Sequence, residues 1–398
     1  MYKEIVNWKK KLNNLSIDEF IILGLTLSIF VSVYFTVAGI LVTIGYLVMN
    51  NRLKSIISTV KGSYYIIAFC LLSLIVSVYY NNLMGAFIAV GMFAIFLISM
   101  YVRTVMTREL FERMMDLSII GSVFCFAIAV LQQIFNLNDT SARTGSTFLN
   151  ANYYATIIEF VVLFCVYRLI NRPDAKKRLY YASIIFINIC GLYLCDCRSA
   201  FLVLFVTIAV YLAVSAKAKA LYIFLAITGI LGAAICFIPG LFPRGDQMGS
   251  DFMTRLSIWE TSLKGIMDYP VFGKGGGTYA LICSLYGGHT APHAHSIFLD
   301  PILNFGIVGV GLFAVYVKEN ARSLKKLHFT EKDRTLYYLV LAILLSVLLH
   351  GLMDITVFGI QTGLLFTMVF SVAGICEAKP KEARIAAGKL YGEKWPNS

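Results

Sequence analysis

The sequence predicts an all-α, polytopic integral membrane protein of about twelve transmembrane helices with one long loop on the outer face. Three observations predict it. Hydrophobic residues make up 59% of the chain, charged residues only 14%, and mean hydropathy is +0.76, well outside the soluble globular range. Apolar runs recur at the roughly 20 residues needed to cross about 30 Å of hydrocarbon. Lys and Arg gather in alternate gaps between those runs, as the positive-inside rule requires. Helices are expected because lipid cannot satisfy free backbone groups, and a closed barrel would show ten-residue alternation instead.

The apolar runs fall near 19–35, 36–50, 63–80, 83–102, 114–135, 151–170, 179–196, 198–215, 219–239, 296–317, 335–353 and 355–376. The first two are short and divided only around Phe35. Residues 1–18 then form a cytoplasmic N-terminus, 19–376 the transmembrane domain, and 377–398 a basic cytoplasmic tail. Lys3, Lys9, Lys10 and Lys11 ahead of an apolar run resemble a signal sequence, but no small-residue cleavage site follows, so a retained first span is expected. Most of the nine cysteines sit inside apolar runs and behave there as small hydrophobes. Cys195 and Cys197 flank Asp196 at one face, where two thiols without further partners make a poor metal site.

An even number of spans puts both termini on one side. Of the 34 Lys and Arg, all but Arg143, Arg198, Arg244, Arg255, Lys264 and Lys274 fall on that side, which is therefore cytoplasmic. The net charge of +12 is explained by topology and attraction to anionic membrane lipid, with no need of a nucleic acid partner. Arg244, Lys264 and Lys274 fit ordinary solvated cations. Arg143, Arg198 and Arg255 lie beside span ends, where inward-facing cations would line an outward-opening cavity, although Arg198 could also snorkel to headgroups. Several such arginines suit pyrophosphate, because guanidinium donors match phosphate oxygens in a bidentate fork.

The outer loop, 240–295, is a polar stretch set in an otherwise apolar series. His289, His293, His295 and His350 fall on the outer face, and His328 is cytoplasmic. His293 and His295, two apart, cannot share one helix face, so one is expected to face the cavity and the other solvent. Histidine suits removal of a hydroxyl proton near neutral pH. A metal is not expected, since these histidines with Asp300 form a thin ligand set and no Asp-x-Asp pair exists to hold a divalent cation on phosphate. The glycine run Gly273–Gly277 lacks the strand–loop–helix setting of a phosphate loop and reads as a tight, close-packed turn. Glu159 is the clearest midspan charge, either functional or paired with a neighbouring helix. His350 and Asp354, four apart, line the same cavity or satisfy each other.

Taken in order, these motifs resemble the O-antigen ligase/polymerase family of bacterial envelope enzymes. The residues that carry the resemblance are Arg143-Thr-Gly-Ser-Thr-Phe-Leu-Asn-Ala-Asn152, Arg198-Ser-Ala200 and Arg255-Leu-Ser-Ile-Trp259. They continue with Tyr269-Pro-Val-Phe-Gly-Lys-Gly-Gly-Gly277, then His293-Ala-His-Ser-Ile-Phe-Leu-Asp300, running into Asn304-Phe-Gly-Ile-Val-Gly309. The likeness spans roughly 140–376. It implies a C-type glycosyltransferase-like membrane fold in the bacterial cytoplasmic (inner) membrane. The activity it implies is en bloc, inverting transfer of a glycan from undecaprenyl-pyrophosphate to an acceptor hydroxyl on a glycan, lipid or protein, without metal or cofactor. Carried over by position, Arg198 and Arg255 grip the pyrophosphate and His295 activates the acceptor, with Arg143, His293, Trp259 and His350 expected around the substrate. The family pattern has Asn after the second histidine and this chain has Ser296, so the choice between His293 and His295 stays open on sequence. The rival class, a transporter or flippase of the same lipid-linked glycan, predicts inverted repeats and more midspan charge, and neither is evident.

Overall fold

The computed structural model describes residues 15–137, 143–171, 174–237, 248–331 and 333–377. The lysines ahead of the first span, Arg244 and the basic tail beyond 377 lie outside them. Among the described residues the chain is all-helical, without strands. Ser16 opens α1 (Ile17–Val31) with a capping box closed by Glu19, which satisfies the first free N–H groups of the helix. The break to α2 (Val33–Met49) comes at extended Ser32, not around Phe35, because the Ser32 side chain caps the second helix through the Phe35 N–H. A 99° bend at Asn50–Arg52 leads into α3 (Leu53–Thr59).

There follow α4 (Ser63–Tyr79), α5 (Leu83–Val105), α6 (Arg108–Ile134), α7 (Ala151–Asn171), α8 (Ala175–Leu194), α9 (Arg198–Val214) and α10 (Ala218–Phe237). The second half holds α11 (Met248–Asp268), the short α12 (Thr278–Ile282), α13 (Leu299–His328), α14 (Arg334–His350) and α15 (Ile360–Phe370), with 3₁₀ turns at Thr356–Phe358 and Ser371–Cys376. Every apolar run read from the sequence is helical. Four helices (α5, α6, α7 and α13) are long and apolar enough to cross a membrane, or up to five spans if bent α2–α3 counts as one. Others, such as α4, α9 and α14 at 17 residues, are about 25 Å long and fall short of that length.

Helix α7 is the hub. It packs against α6, α8, α9 and α14, and every residue from Tyr154 to Arg168 is buried. Its two ends differ in chemistry. At its C-terminal end Arg168 bonds Glu112 at 3.0 Å and Asp116 at 2.8 Å, and Arg108 joins Glu112 to Asp333. Nearby on α5, Arg103 pairs with Glu377 at 2.8 Å. This end holds residues that the charge distribution assigns to the cytoplasmic face. The N-terminal end of α7 carries Asn152 and faces the outer-loop residues.

The long outer loop is not open coil. Its middle is the amphipathic α11, with Ile258, Thr261 and Ser262 buried against the body and Phe252, Met253, Leu263 and Met267 exposed. Gly265 lets it approach closely, since a Cβ there would meet Ile282 at 2.2 Å. The glycine run forms the expected tight turn. Asn82 donates to the carbonyls of Lys274 (3.0 Å) and Gly276 (2.9 Å), the Gly275 N–H reaches the Asn304 carbonyl at 2.8 Å, and Lys274 lies over the rings of Tyr80 and Tyr269.

Candidate functional site

The site forms where four loop segments meet at the N-terminal end of α7. The segment before α7 is fixed first. Gln132 of α6 donates to the Ser146 carbonyl at 2.9 Å and accepts from the Ser146 N–H at 2.8 Å, while the Ser146 hydroxyl donates to the Cys125 carbonyl at 2.6 Å. With its backbone so held, the segment presents Arg143, whose Nε donates to the Cys195 carbonyl at 3.2 Å and whose Nη2 donates to Asn152 Oδ1 at 2.6 Å. Asn152 Nδ2 in turn bonds Asp354 Oδ2.

Asp354 lies in the five-residue connection between α14 and the 3₁₀ turn Thr356–Phe358, with its side chain 5% exposed. Its Oδ1 meets the Ile355 N–H at 2.8 Å and His295 Nδ1 at 3.0 Å. A carboxylate only accepts, so His295 carries its proton on Nδ1 and its basic lone pair on Nε2. Burial alone would raise the Asp354 carboxyl, but the His295 bond and the nearby imidazoles outweigh it and hold the group well below the usual carboxylate range.

His293 sits beside this pair, the two imidazole centroids 4.2 Å apart and its Nε2 3.6 Å from Asp354 Oδ1. The two histidines therefore do not divide between cavity and solvent as expected. No helix begins until Leu299, and the turn that precedes it folds both rings onto one carboxylate. His295 adopts a left-handed φ of 47°, uncommon for a residue with a side chain and typical of functional sites. Three bonds impose it. The His295 N–H donates to His293 Nδ1 at 3.2 Å, the Ala294 N–H to Asp300 Oδ1 at 2.8 Å, and the Ile297 N–H to the Gly351 carbonyl at 2.7 Å.

Asp300 is consequently a scaffold residue rather than a partner of the histidines. Its Oδ2 accepts from Asn304 Nδ2 at 2.5 Å, and Asn304 Oδ1 takes the Thr278 N–H at 2.9 Å. That chain ties the histidine turn to the glycine turn.

His293, His295 and Asp354 offer three ligand atoms within 4.8 Å of one another, so they are the group that could hold a metal. The tautomer of His293 opposes it. A histidine that ligates through Nε2 carries its proton on Nδ1, whereas His293 Nδ1 accepts the His295 N–H. Burial, opposed by the Asp354 charge, pushes His293 down to about 4, so it is neutral at physiological pH with Nε2–H towards the carboxylate.

The remaining arginines approach from α11 and α9. Arg255 Nε donates to the Met353 carbonyl at 3.0 Å and its Nη1 to the Asp251 carbonyl at 3.2 Å. Arg198, first residue of α9, bonds the Asp251 carboxylate. Arg143, Arg198, Arg255, His293 and His295 thus join one hydrogen-bonded web around Met353–Asp354. Two other expected site residues lie apart from it. Trp259, one turn beyond Arg255, packs on the small cluster of Ile258, Tyr279 and Leu303, with its Nε1–H buried and without an acceptor among the described residues. His350 is fully buried, its Nδ1 2.6 Å from Glu159 Oε1, with Ser346 on the other carboxylate oxygen. It satisfies the midspan charge of α7 and meets Asp354 through the backbone, its carbonyl accepting the Asp354 N–H at 3.1 Å.

Sequence reasoning set Asp354 beside His350 and gave neither it, Asn152 nor Asp251 a role at His293 and His295. The one available signal was an acid standing alone between the apolar runs 335–353 and 355–376, at the face to which the charge pattern assigns the outer cations.

Comparison with known families agrees with the motif reading. The model of the family described as O-antigen ligase matches residues 183–314, which take in Arg198, Asp251, Arg255, Trp259, His293 and His295. Arg143, Asn152 and Asp354 lie outside the matched stretch. A search of curated proteins found no match.

Proposed function

We propose that this chain, built around an O-antigen ligase domain, is a glycosyltransferase of the inner membrane. It moves a glycan whole from undecaprenyl-pyrophosphate to an acceptor hydroxyl at the outer face, by inversion and without a metal. The proposal includes about twelve crossings, both termini cytoplasmic, with α11 resting on the outer surface. The observation that carries it is the Asp354–His295 pair, which leaves His295 Nε2 as a lone pair beside the web that holds Arg198 and Arg255.

The chemistry balances in one displacement. The acceptor O–H gives its proton to His295 Nε2 as its oxygen bonds the anomeric carbon. The bond from that carbon to the pyrophosphate oxygen breaks, and its electron pair leaves with the lipid pyrophosphate. Attack opposite the leaving group inverts the centre. Asp354 stabilises the imidazolium that forms, as an anion within hydrogen-bond reach does. Arg198, Arg255 and Arg143 offset charge growing on the leaving group. A donor pyrophosphate takes the place that the Asp251 carboxylate fills on Arg198.

Base catalysis contributes about 10²–10⁴ in rate, equivalent to roughly 3–5 kcal/mol of barrier. The test is transfer by detergent-solubilised protein supplied with lipid-pyrophosphate glycan, candidate acceptors and excess chelator. His295→Ala should reach the membrane and show no detectable transfer. Full activity in that variant overturns the assignment. A product on a second lipid-linked glycan marks a polymerase, and a product on another acceptor marks a ligase.

A further inference from the structure

Asn152 stands at the second position of α7, between Arg143 and Asp354. Its two neighbours have opposite demands, since a guanidinium only donates and a carboxylate only accepts. A side chain between them must offer an acceptor to one and a donor to the other. An amide does so, and its partners fix which way it faces, oxygen to Arg143 and nitrogen to Asp354. Aspartate in its place would set two carboxylates against each other, and leucine, of nearly the same shape, would bond neither.

We infer that Asn152 is a positioning residue that couples Arg143 to the base: it orients the Asp354 carboxylate so that Oδ1 aims at His295 Nδ1, and ties that aim to the state of the arginine. The inference rests on the proposed role of His295. The carboxylate is held from two directions, Oδ2 by Asn152 and Oδ1 by the Ile355 N–H and His295. Removing Asn152 releases Oδ2 and leaves the carboxylate held through Oδ1 alone, so its plane is no longer fixed against His295. A donor whose pyrophosphate engages Arg143 pulls on the same three-link chain, so donor binding and readiness of the base become one event.

The test is Asn152→Leu, read in two ways. A hydrogen bond to a charged group contributes about 1.5–3 kcal/mol, so kcat should fall about 10–100-fold while KM for the lipid-pyrophosphate donor moves less than about threefold. Unchanged kcat overturns the inference, as does a raised KM with kcat preserved, which would make Asn152 only a donor contact.

The second reading needs no turnover. Diethyl pyrocarbonate modifies the unprotonated imidazole nitrogen, and the rate at His295 is followed against pH by peptide mass spectrometry in wild type and Asn152→Leu. The titratable groups facing His295 among the described residues are His293, Asp354 and, across the turn, Asp300, and all three remain in the variant. A displaced pH profile at His295 supports the coupling, and superimposable profiles overturn it. If wild type transfers nothing to any acceptor, the proposed function fails, while the labelling result still decides the link from Asn152 to His295.

Discussion

At Asp354 one buried carboxylate accepts from Asn152, the Ile355 N–H and His295, with His293 alongside. Asp354→Asn keeps the shape and removes the charge that stabilises a protonated His295. Its kcat should fall by about 10²–10⁴, the range of base catalysis, with the protein still folded by melting temperature. Acid should also loosen the fold around this pair. His293 is held near 4 against an ordinary value of 6.5, so between those limits the unfolded chain binds a proton that the folded chain refuses. Stability therefore rises with pH across that window and is lost as pH falls through it. Asp354, depressed in the fold, adds a loss in the same direction below the ordinary carboxylate range. Melting temperatures from pH 7 to 4 should decline in wild type, and His293→Gln should flatten the slope between about 6.5 and 4.

The turns decide where the site's elements stand. Gly306 interrupts α13 with φ 59°, and a Cβ there would meet the Val271 carbonyl oxygen at 2.3 Å. Gly306→Ala should destabilise by about 2–4 kcal/mol, combining backbone strain with a clash, whereas Gly311→Ala in the same helix, with open space around it, should be neutral or slightly stabilising. Thermal melts of the two variants side by side check this. Helix existence was legible in the sequence because apolar runs of membrane length need no partner to be recognised. Arg143, Arg198 and Arg255 stood out in the sequence as exceptions to the charge pattern, and the structure joins all three to the web around Met353–Asp354. Three things were not. The Asp354–His295 bond joins residues 59 apart, a pairing that periodicity does not carry. The convergence of His293 and His295 depends on a left-handed residue with a side chain, which no local rule foretells. Helix α11 was hidden because its apolar stripe is short and mixed with charges.

Across the whole molecule, the ion pairs of Arg103, Arg108 and Arg168 at one end and the web around Asp354 at the other divide the chain into two chemically distinct ends. With the native cysteines replaced, Lys264→Cys should label with an impermeant maleimide in intact cells, and Lys325→Cys only after permeabilisation. The opposite pattern would invert the assigned faces. The Glu159–His350 pair has a further consequence, for biogenesis. Its partners are 191 residues apart in the chain. At about 5–20 residues per second of synthesis, α7 waits roughly 10–40 s in the bilayer before α14 emerges from the ribosome. An ionisable residue mid-helix costs about 2.5–3.5 kcal/mol at insertion, so α7 enters as an unwilling span and is locked only when His350 arrives. The central helix of the finished protein is thus among the last to be secured during its birth, and the end where Asp354 meets the two histidines cannot assemble on a nascent chain that stops before α14.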